Sequence, residues 1–280
     1  MKLAYGTYAM PTVPLEEAIP LIAEIGYEGI EICISERHGS ALDQLGPGRR
    51  ERLRELLREH GLGVPAIFFL GGIYTPDDET HHTNLDSISG CAHLARDLGL
   101  PEPPVIALGF GGSPDDWQAV RPRLIEQLRD LGELAERESL VVAGEAHSRG
   151  AVNSTQRVLE VLEAVGDPRV RLHFDIVHFF LGGEEIAECV SRLVPWTAHT
   201  HVTDAVPHPD GNFDPRLPGE GELDIEAYVR AMAEAGWDGY ITLEVSGMIW
   251  GADDYDPEGA ARQCYDELSA ALDAAGVERG

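Results

Sequence analysis

A single closed (β/α)8 barrel, the TIM barrel of the α/β class, spanning residues 1–280, is the architecture that this sequence predicts. Three observations carry the prediction. Short apolar runs alternate with amphipathic segments eight times along the chain. The runs are continuous rather than every-other-residue, as at 64–70 and 105–110, which is how strands buried on both faces read. The length, 280 residues, suits an α/β barrel, which routinely runs to about 250 residues as one domain. An open doubly wound sheet is the rival. It would want a glycine-rich phosphate turn after an early strand, and residues 7–14 have none.

The elements follow in order. Residues 3–8 read as the first strand and 15–26 as its helix. The second unit has a strand at 29–34 and a helix at 47–60, which Gly61 stops. The third has a strand at 64–70, a polar loop, and a helix at 85–98 ended by Gly99. That loop holds His81 and His82, read as a solvated pair; His38 and His208 are also expected at the surface. The fourth strand, 105–110, leads to a helix opening at Ser113-Pro114-Asp115-Asp116, with Ser at the cap and Pro in the first turn, and running to 138. Strands at 140–145, 170–175, 197–202 and 239–245 complete the eight, with helices at 154–165, 184–193, 225–235 and 257–274. Two connections, 203–219 and 247–256, are long enough to cover a barrel mouth, and the first is expected to be a lid.

Composition narrows the function classes. A chain 43% hydrophobic and 25% charged is neither disordered nor a disulfide scaffold. No apolar run approaches the ~20 residues of a membrane span. The N-terminus has no secretion-signal pattern, so a cytoplasmic location is expected. Cys33, Cys91, Cys189 and Cys264 form no CxxC pair and read as free thiols in a reducing compartment. Acidic residues number 49 against 21 basic, a formal charge of −28, with no basic stripe. Nucleic acid and anionic membrane are therefore poor partners, and a small neutral or cationic molecule is a better one.

The chemistry gathers where the last four strands end, because in such a barrel the active site lies at the C-terminal mouth of the strands. These strands end in Glu145, Asp175, His201 and Glu244. Adjacent staves can bring all four side chains to one point, and this is read as a site for one divalent metal ion. Three carboxylates and one imidazole suit Mn²⁺ or Mg²⁺, with Co²⁺ or Zn²⁺ as alternatives; no thiolate points to structural zinc. A loaded site keeps about one negative charge, which favours a neutral polyol or sugar over a phosphate on the metal.

Around these residues lie Asp175-Ile176-Val177-His178, His201-Val202-Thr203-Asp204 and Pro218-Gly219-Glu220-Gly221 before Leu223-Asp224. With them the chain resembles the sugar phosphate isomerase/epimerase family. This is the xylose-isomerase-like barrel group that includes ketose 3-epimerases, hydroxypyruvate isomerase and inosose dehydratase. The resemblance implies that Glu145, Asp175, His201 and Glu244 bind one metal and that Glu145 and Glu244 exchange the proton next to the substrate carbonyl. It implies substrate contacts for His178 and Arg216, although the connection before Arg216 is longer than in those epimerases. Where the epimerases carry a second substrate-binding Glu, this chain has Ala146-His147-Ser148-Arg149, which makes His147 the substitute. Relatives of this kind are often dimers or tetramers, so a homo-oligomer is expected.

The physics runs parallel. Removing a proton beside a carbonyl leaves an enediolate, which a metal stabilises by several kcal/mol. Return to the other face gives epimerisation, return to the neighbouring carbon gives isomerisation, and loss of a β-hydroxyl gives dehydration. An isomerase or epimerase of a neutral sugar, ketose or polyol-derived carbonyl compound is the expected function, and a dehydratase of a keto-sugar or keto-cyclitol is the alternative. A nuclease of the endonuclease IV type, which shares this barrel, would need further His ligands at earlier strand ends, and these read Phe68-Phe69-Leu70 and Leu108-Gly109-Phe110. A binding protein without turnover is a third class, disfavoured by the intact ligand set.

Strand alternation puts His173 and His199 one layer below Asp175 and His201, where each reads either as a holder of a ligand carboxylate or as a core histidine. Glu31 shares an inward face with Cys33 and reads as a substrate or ligand-supporting carboxylate, with loop capping as the alternative. Trp250 is singled out as an aromatic wall for a sugar.

Overall fold

The computed structural model describes residues 1–279. Ten strands form. Eight of them, β1 (Lys2–Gly6), β2 (Gly29–Ile34), β3 (Ile67–Gly72), β4 (Val105–Gly109), β5 (Val141–Glu145), β6 (Val170–Asp175), β7 (Thr197–Val202) and β10 (Tyr240–Leu243), close a parallel barrel; β8 (Asp204–Pro207) and β9 (Phe213–Arg216) make a separate antiparallel hairpin. The order around the barrel is β1-β10-β7-β6-β5-β4-β3-β2, so each barrel strand lies beside its neighbours in sequence. Parallel neighbours need crossovers, and helices supply them. They are α1 (Leu15–Ile25), α2 (Pro47–His60), α3 (Asp78–Leu98), α4 (Trp117–Glu138), α5 (Thr155–Val165), α6 (Ile176–Leu181), α7 (Ile186–Leu193), α8 (Ile225–Glu234), α9 (Gly247–Trp250) and α10 (Pro257–Ala275). Among the described residues no helix is long and apolar enough to cross a membrane.

Alternation along the strands divides the interior in two. On β2, Ile30 and Ile32 face the helices, in one large apolar cluster with residues such as Ile67, Leu108 and Leu172. Glu31 and Cys33 face the barrel axis, where Cys33, Ala66, Ala107 and Ala143 pack with Phe68. Small residues on the axis leave room for the polar layer above them.

The sequence reading needs correction at five places. β3 begins at Ile67 rather than at 64, because Pro65 has no N–H to give the ladder. α3 begins at Asp78 rather than at 85: Asp77 caps it by accepting from Thr80 N, and its first turns have no apolar residue. The expected loop histidines therefore lie in a helix, and His81 is buried, with Nε2 2.9 Å from Asp130 Oδ2. His38 is buried too, its Nε2 donating to Tyr8 O at 2.9 Å. A six-residue helix, α6, follows β6 directly and precedes the expected one. Ser113 stands before a short 3-10 turn, Pro114–Asp116, and its side chain makes no capping bond.

The expected lid connection contains the β8–β9 hairpin, paired from Asp204 with Arg216 to Pro207 with Phe213. One buried carboxylate organises its return. Asp204 accepts from Gly219 N, Gly221 N and Leu223 N at 2.9–3.1 Å, and from its own neighbour Ala205 N at 2.8 Å. Gly221 has to be glycine, because a Cβ there would collide with that carboxylate. Hydrogen bonds to a charged group are each worth about 1.5–3 kcal/mol. Asp204→Ala is expected to lower stability by roughly 2–4 kcal/mol in urea denaturation; a change below about 0.5 kcal/mol would show the return loop to be held otherwise.

Candidate metal centre

Each donor is set in place by the element that ends with it. Glu145 is the last residue of β5, and Asp175 is the last of β6. Asp175 divides its two oxygens: Oδ1 caps α6 by accepting from Val177 N at 3.1 Å, and Oδ2 is buried with no hydrogen-bond partner. His201 stands opposite Asp175 in the β6–β7 register and opposite Thr242 on β10. Glu244 follows β10, tied by its backbone N to Val202 O at 3.1 Å. One donor atom from each of these four residues lies within 4.8 Å of all the others. His201 Nδ1 is 3.5 Å from Glu244 Oε2 and 4.0 Å from Glu145 Oε1.

Electrostatics makes this arrangement costly as it stands. Burial, and then the charge of Glu244, push the Glu145 carboxyl well above its usual range. The same two causes push Asp175 up to about 7. Burial pulls His201 down, but the carboxylates of Glu31 and Glu244 outweigh it and raise the imidazole well above its ordinary value. Crowded carboxylates that keep protons are what a divalent cation would relieve. The fit is supported by two orphaned atoms, Asp175 Oδ2 and His201 Nδ1, both buried without hydrogen bonds and both on residues of the donor set. Three oxygens and one nitrogen suit a hard or borderline divalent ion.

Asp175 and His201 are sealed from solvent, while Glu145 and Glu244 line a cavity of about 190 Å³, room for a small molecule and not for a polymer. His147 and His178 line the same wall, with ring centroids 3.9 Å apart. His178 Nε2 lies 3.6 Å from Asp175 Oδ2 and 4.0 Å from Glu145 Oε1. His147 Nδ1 accepts from Arg149 N at 3.0 Å, which leaves Nε2 to carry the proton of the neutral ring. Burial lowers both imidazoles, and His178 falls further because His147 is beside it.

The other sequence candidates are placed elsewhere. Glu31 is wholly buried below the donors, with Oε2 2.6 Å from His199 Nε2 and 2.9 Å from His201 Nε2. Burial favours its neutral form, but His201 and His199 outweigh this and hold it at about 2. His173 sits in the same layer, with both ring nitrogens unpartnered. Arg216 lies on the hairpin face opposite Pro215 and pairs with Asp214 at 3.3 Å, outside the cavity wall. Trp250 packs edge-on behind Tyr8, with Arg37 over its ring at 4.3 Å, and is also outside the wall. Residues that the sequence reading did not single out supply much of the wall instead: Leu70, Val177, Thr203, Phe213, Pro215 and Ser246. The one local signal of the β8–β9 hairpin is its turn, His208-Pro209-Asp210-Gly211, closed by Gly211 N donating to His208 O at 3.0 Å.

Comparison with known proteins adds to this geometry. Residues 19–276 match the family described as xylose isomerase-like TIM barrel. The chain is 26% identical to a fructoselysine 3-epimerase of Escherichia coli O157:H7, over 97% of this chain and 98% of that one. It is 22% identical to an inosose dehydratase of Clostridium perfringens, over 79% of this chain and 84% of that one. The crystal structure of an IolI protein with a bound zinc atom superposes with a TM-score of 0.83 at 20% identity, covering 98% of this chain and 99% of that one. At that identity the superposition speaks for the fold.

Because burial depresses the His147, His173 and His178 imidazoles, all three are expected to stay neutral where a free histidine gains its proton, near pH 6.5. Their ring C–H resonances should hold steady in NMR from pH 8 to pH 6.5; a titration centred at or above 6.5 would contradict the buried, stacked geometry.

Proposed function

We propose that this chain, which belongs to the xylose isomerase-like TIM barrel family, is a divalent-metal-dependent isomerase or epimerase acting on a neutral sugar, ketose or polyol-derived carbonyl compound. The observation that carries the reading is the meeting of four donor atoms within 4.8 Å, two of them on glutamates that face the cavity. Glu145, Asp175, His201 and Glu244 would hold the ion, Mn²⁺ or Mg²⁺ by donor chemistry, with Co²⁺ and Zn²⁺ as alternatives. When bound, such an ion supplies a Lewis acid for the carbonyl and neighbouring hydroxyl oxygens of the substrate.

The protein's own groups do the rest. Glu145 and Glu244 act as the base and acid pair: one takes the proton from the carbon beside the carbonyl, and the other delivers a proton to the opposite face or to the adjacent carbon. His178 and His147 are neutral in this wall and offer substrate hydroxyls N–H donors without adding charge. Neither Arg216 nor Trp250 is given a substrate contact in this reading, since both lie outside the wall. Tyr8, whose hydroxyl is pushed up to about 12 by burial and by Glu244, stays a neutral donor in the cavity wall. A second reading is favoured by the inosose dehydratase likeness: the same proton removal followed by loss of a β-hydroxyl makes the enzyme a lyase for a keto-sugar or keto-cyclitol. A new C=C bond or its tautomer in the NMR spectrum of the product marks that outcome.

Two results are expected. In D₂O the product should carry deuterium on the carbon next to the carbonyl, and Glu244→Gln should cut kcat by about 10²-fold or more while leaving substrate affinity nearly unchanged. A normal rate in the variant would remove Glu244 from proton transfer. Chelation should abolish turnover, and added Mn²⁺ or Mg²⁺ should restore it. The ion must displace the protons that Glu145, Asp175 and His201 hold, so its apparent affinity should weaken as pH falls from 8 to 6, by up to about tenfold per unit for each proton released. Full activity in chelator would reject the metal-dependent mechanism.

A further inference from the structure

Below the four donors lies a polar layer that an apolar barrel interior does not need. Glu31, on β2, reaches across the barrel to β7, where its Oε2 is 2.6 Å from His199 Nε2 and 2.9 Å from His201 Nε2. All three side chains are sealed from solvent. An ionised carboxylate accepts and cannot donate, so both imidazoles must carry their proton on Nε2. In the neutral form of His201 this leaves Nδ1 as the lone-pair atom, and Nδ1 is the nitrogen that lacks a partner and faces Glu145 and Glu244.

We infer that Glu31 is a positioning residue for the cation site. It fixes the tautomer of His201, aims Nδ1 at the other three donors, and strengthens that nitrogen by accepting the proton on the far side of the ring. His199 gives the same oxygen its second hydrogen bond, so neither ring can turn without stranding a buried carboxylate. Metal-bound imidazoles generally need such a partner, and here it comes from a strand that supplies none of the four donors. A second strand enters through its absence of bulk. A Cβ on Gly6 of β1 would come within 2.9 Å of Glu31 Oε1 and 3.2 Å of Leu243 O, so a bare Cα there keeps the seat of Glu31 open. The inference rests on the metal-dependent reading above.

The test measures Zn²⁺ and Mn²⁺ binding by calorimetry in the full chain, with circular dichroism as the control for folding. Wild type should bind one ion. Glu31→Gln and Gly6→Ala should each bind it about 10–100-fold more weakly, with Glu31→Asp between them and wild type. In the Zn²⁺-loaded protein, ¹⁵N NMR should find the His201 proton on Nε2, and that signal should be lost or broadened in Glu31→Gln. Gly6→Ala removes no side chain of the polar layer and shifts only the seat of Glu31, so weakened binding in that folded variant supports positioning even where Glu31→Gln misfolds. Unchanged affinity in both folded variants, or a His201 proton on Nδ1, overturns the inference alone. A wild-type protein that binds no divalent ion overturns the functional reading and this inference together.

Discussion

Three carboxylates and an imidazole occupy a space in which their donor atoms lie within 4.8 Å of one another, and this crowding governs the molecule's upper face. Two like charges at 4 Å repel by roughly 4 kcal/mol at an effective dielectric of 20, so the bare site cannot hold all its charges. It must keep protons or take up a cation, and Glu145 and Asp175 take the first course when no ion is present. A flexible scaffold would relieve the strain by letting the groups separate. This one does not, because three of the four donors are tied to structure that serves another purpose. Asp175 caps a helix with one oxygen, Glu244 continues the β10–β7 ladder through its N–H, and His201 is gripped from behind by Glu31.

How much of this could be read from the chain follows from the range of each interaction. The four donors were legible because the ends of buried strands are marked locally by the last apolar residue, and in a barrel that end is where chemistry can occur. Strands 29–34, 170–175 and 197–202 have the predicted bounds, since each is apolar inside and bounded by turn residues. The start of α3 was hidden because its first turns have no apolar residue, and the side chain they bury there, His81, is polar, so an apolar periodicity has nothing to mark it. The β8–β9 hairpin was hidden because its four-residue strands carry prolines and charges, and it is held by Asp204 across 15–19 residues. Glu31 was visible as an inward carboxylate, but its partners lie 168 and 170 residues away, and no local pattern encodes that distance. Trp250 was singled out by its place near a strand end and Arg216 by the family resemblance, whereas exposure to the cavity depends on which face of a short element a side chain takes.

The same charge argument restricts what the cavity can accept. Its wall presents Glu145, Asp204 and Glu244 but no lysine or arginine, and the nearby arginines are engaged: Arg149 lies over the Phe213 ring at 4.6 Å, and Arg216 pairs with Asp214. A phosphate or carboxylate entering this wall would meet three acids with no lysine or arginine to offset them, within a chain whose formal charge is −28. Long-range attraction and local pairing both fail for an anion, so the energy of binding has to come from hydroxyl contacts and from apolar surface. The wall provides both, with imidazole and hydroxyl donors alongside Phe68, Leu70, Phe213 and Pro215. A neutral polyhydroxylated carbonyl compound meets these demands without leaving a buried charge unpaired, and this is why the function proposed for the site is written for an uncharged sugar rather than for its phosphate ester.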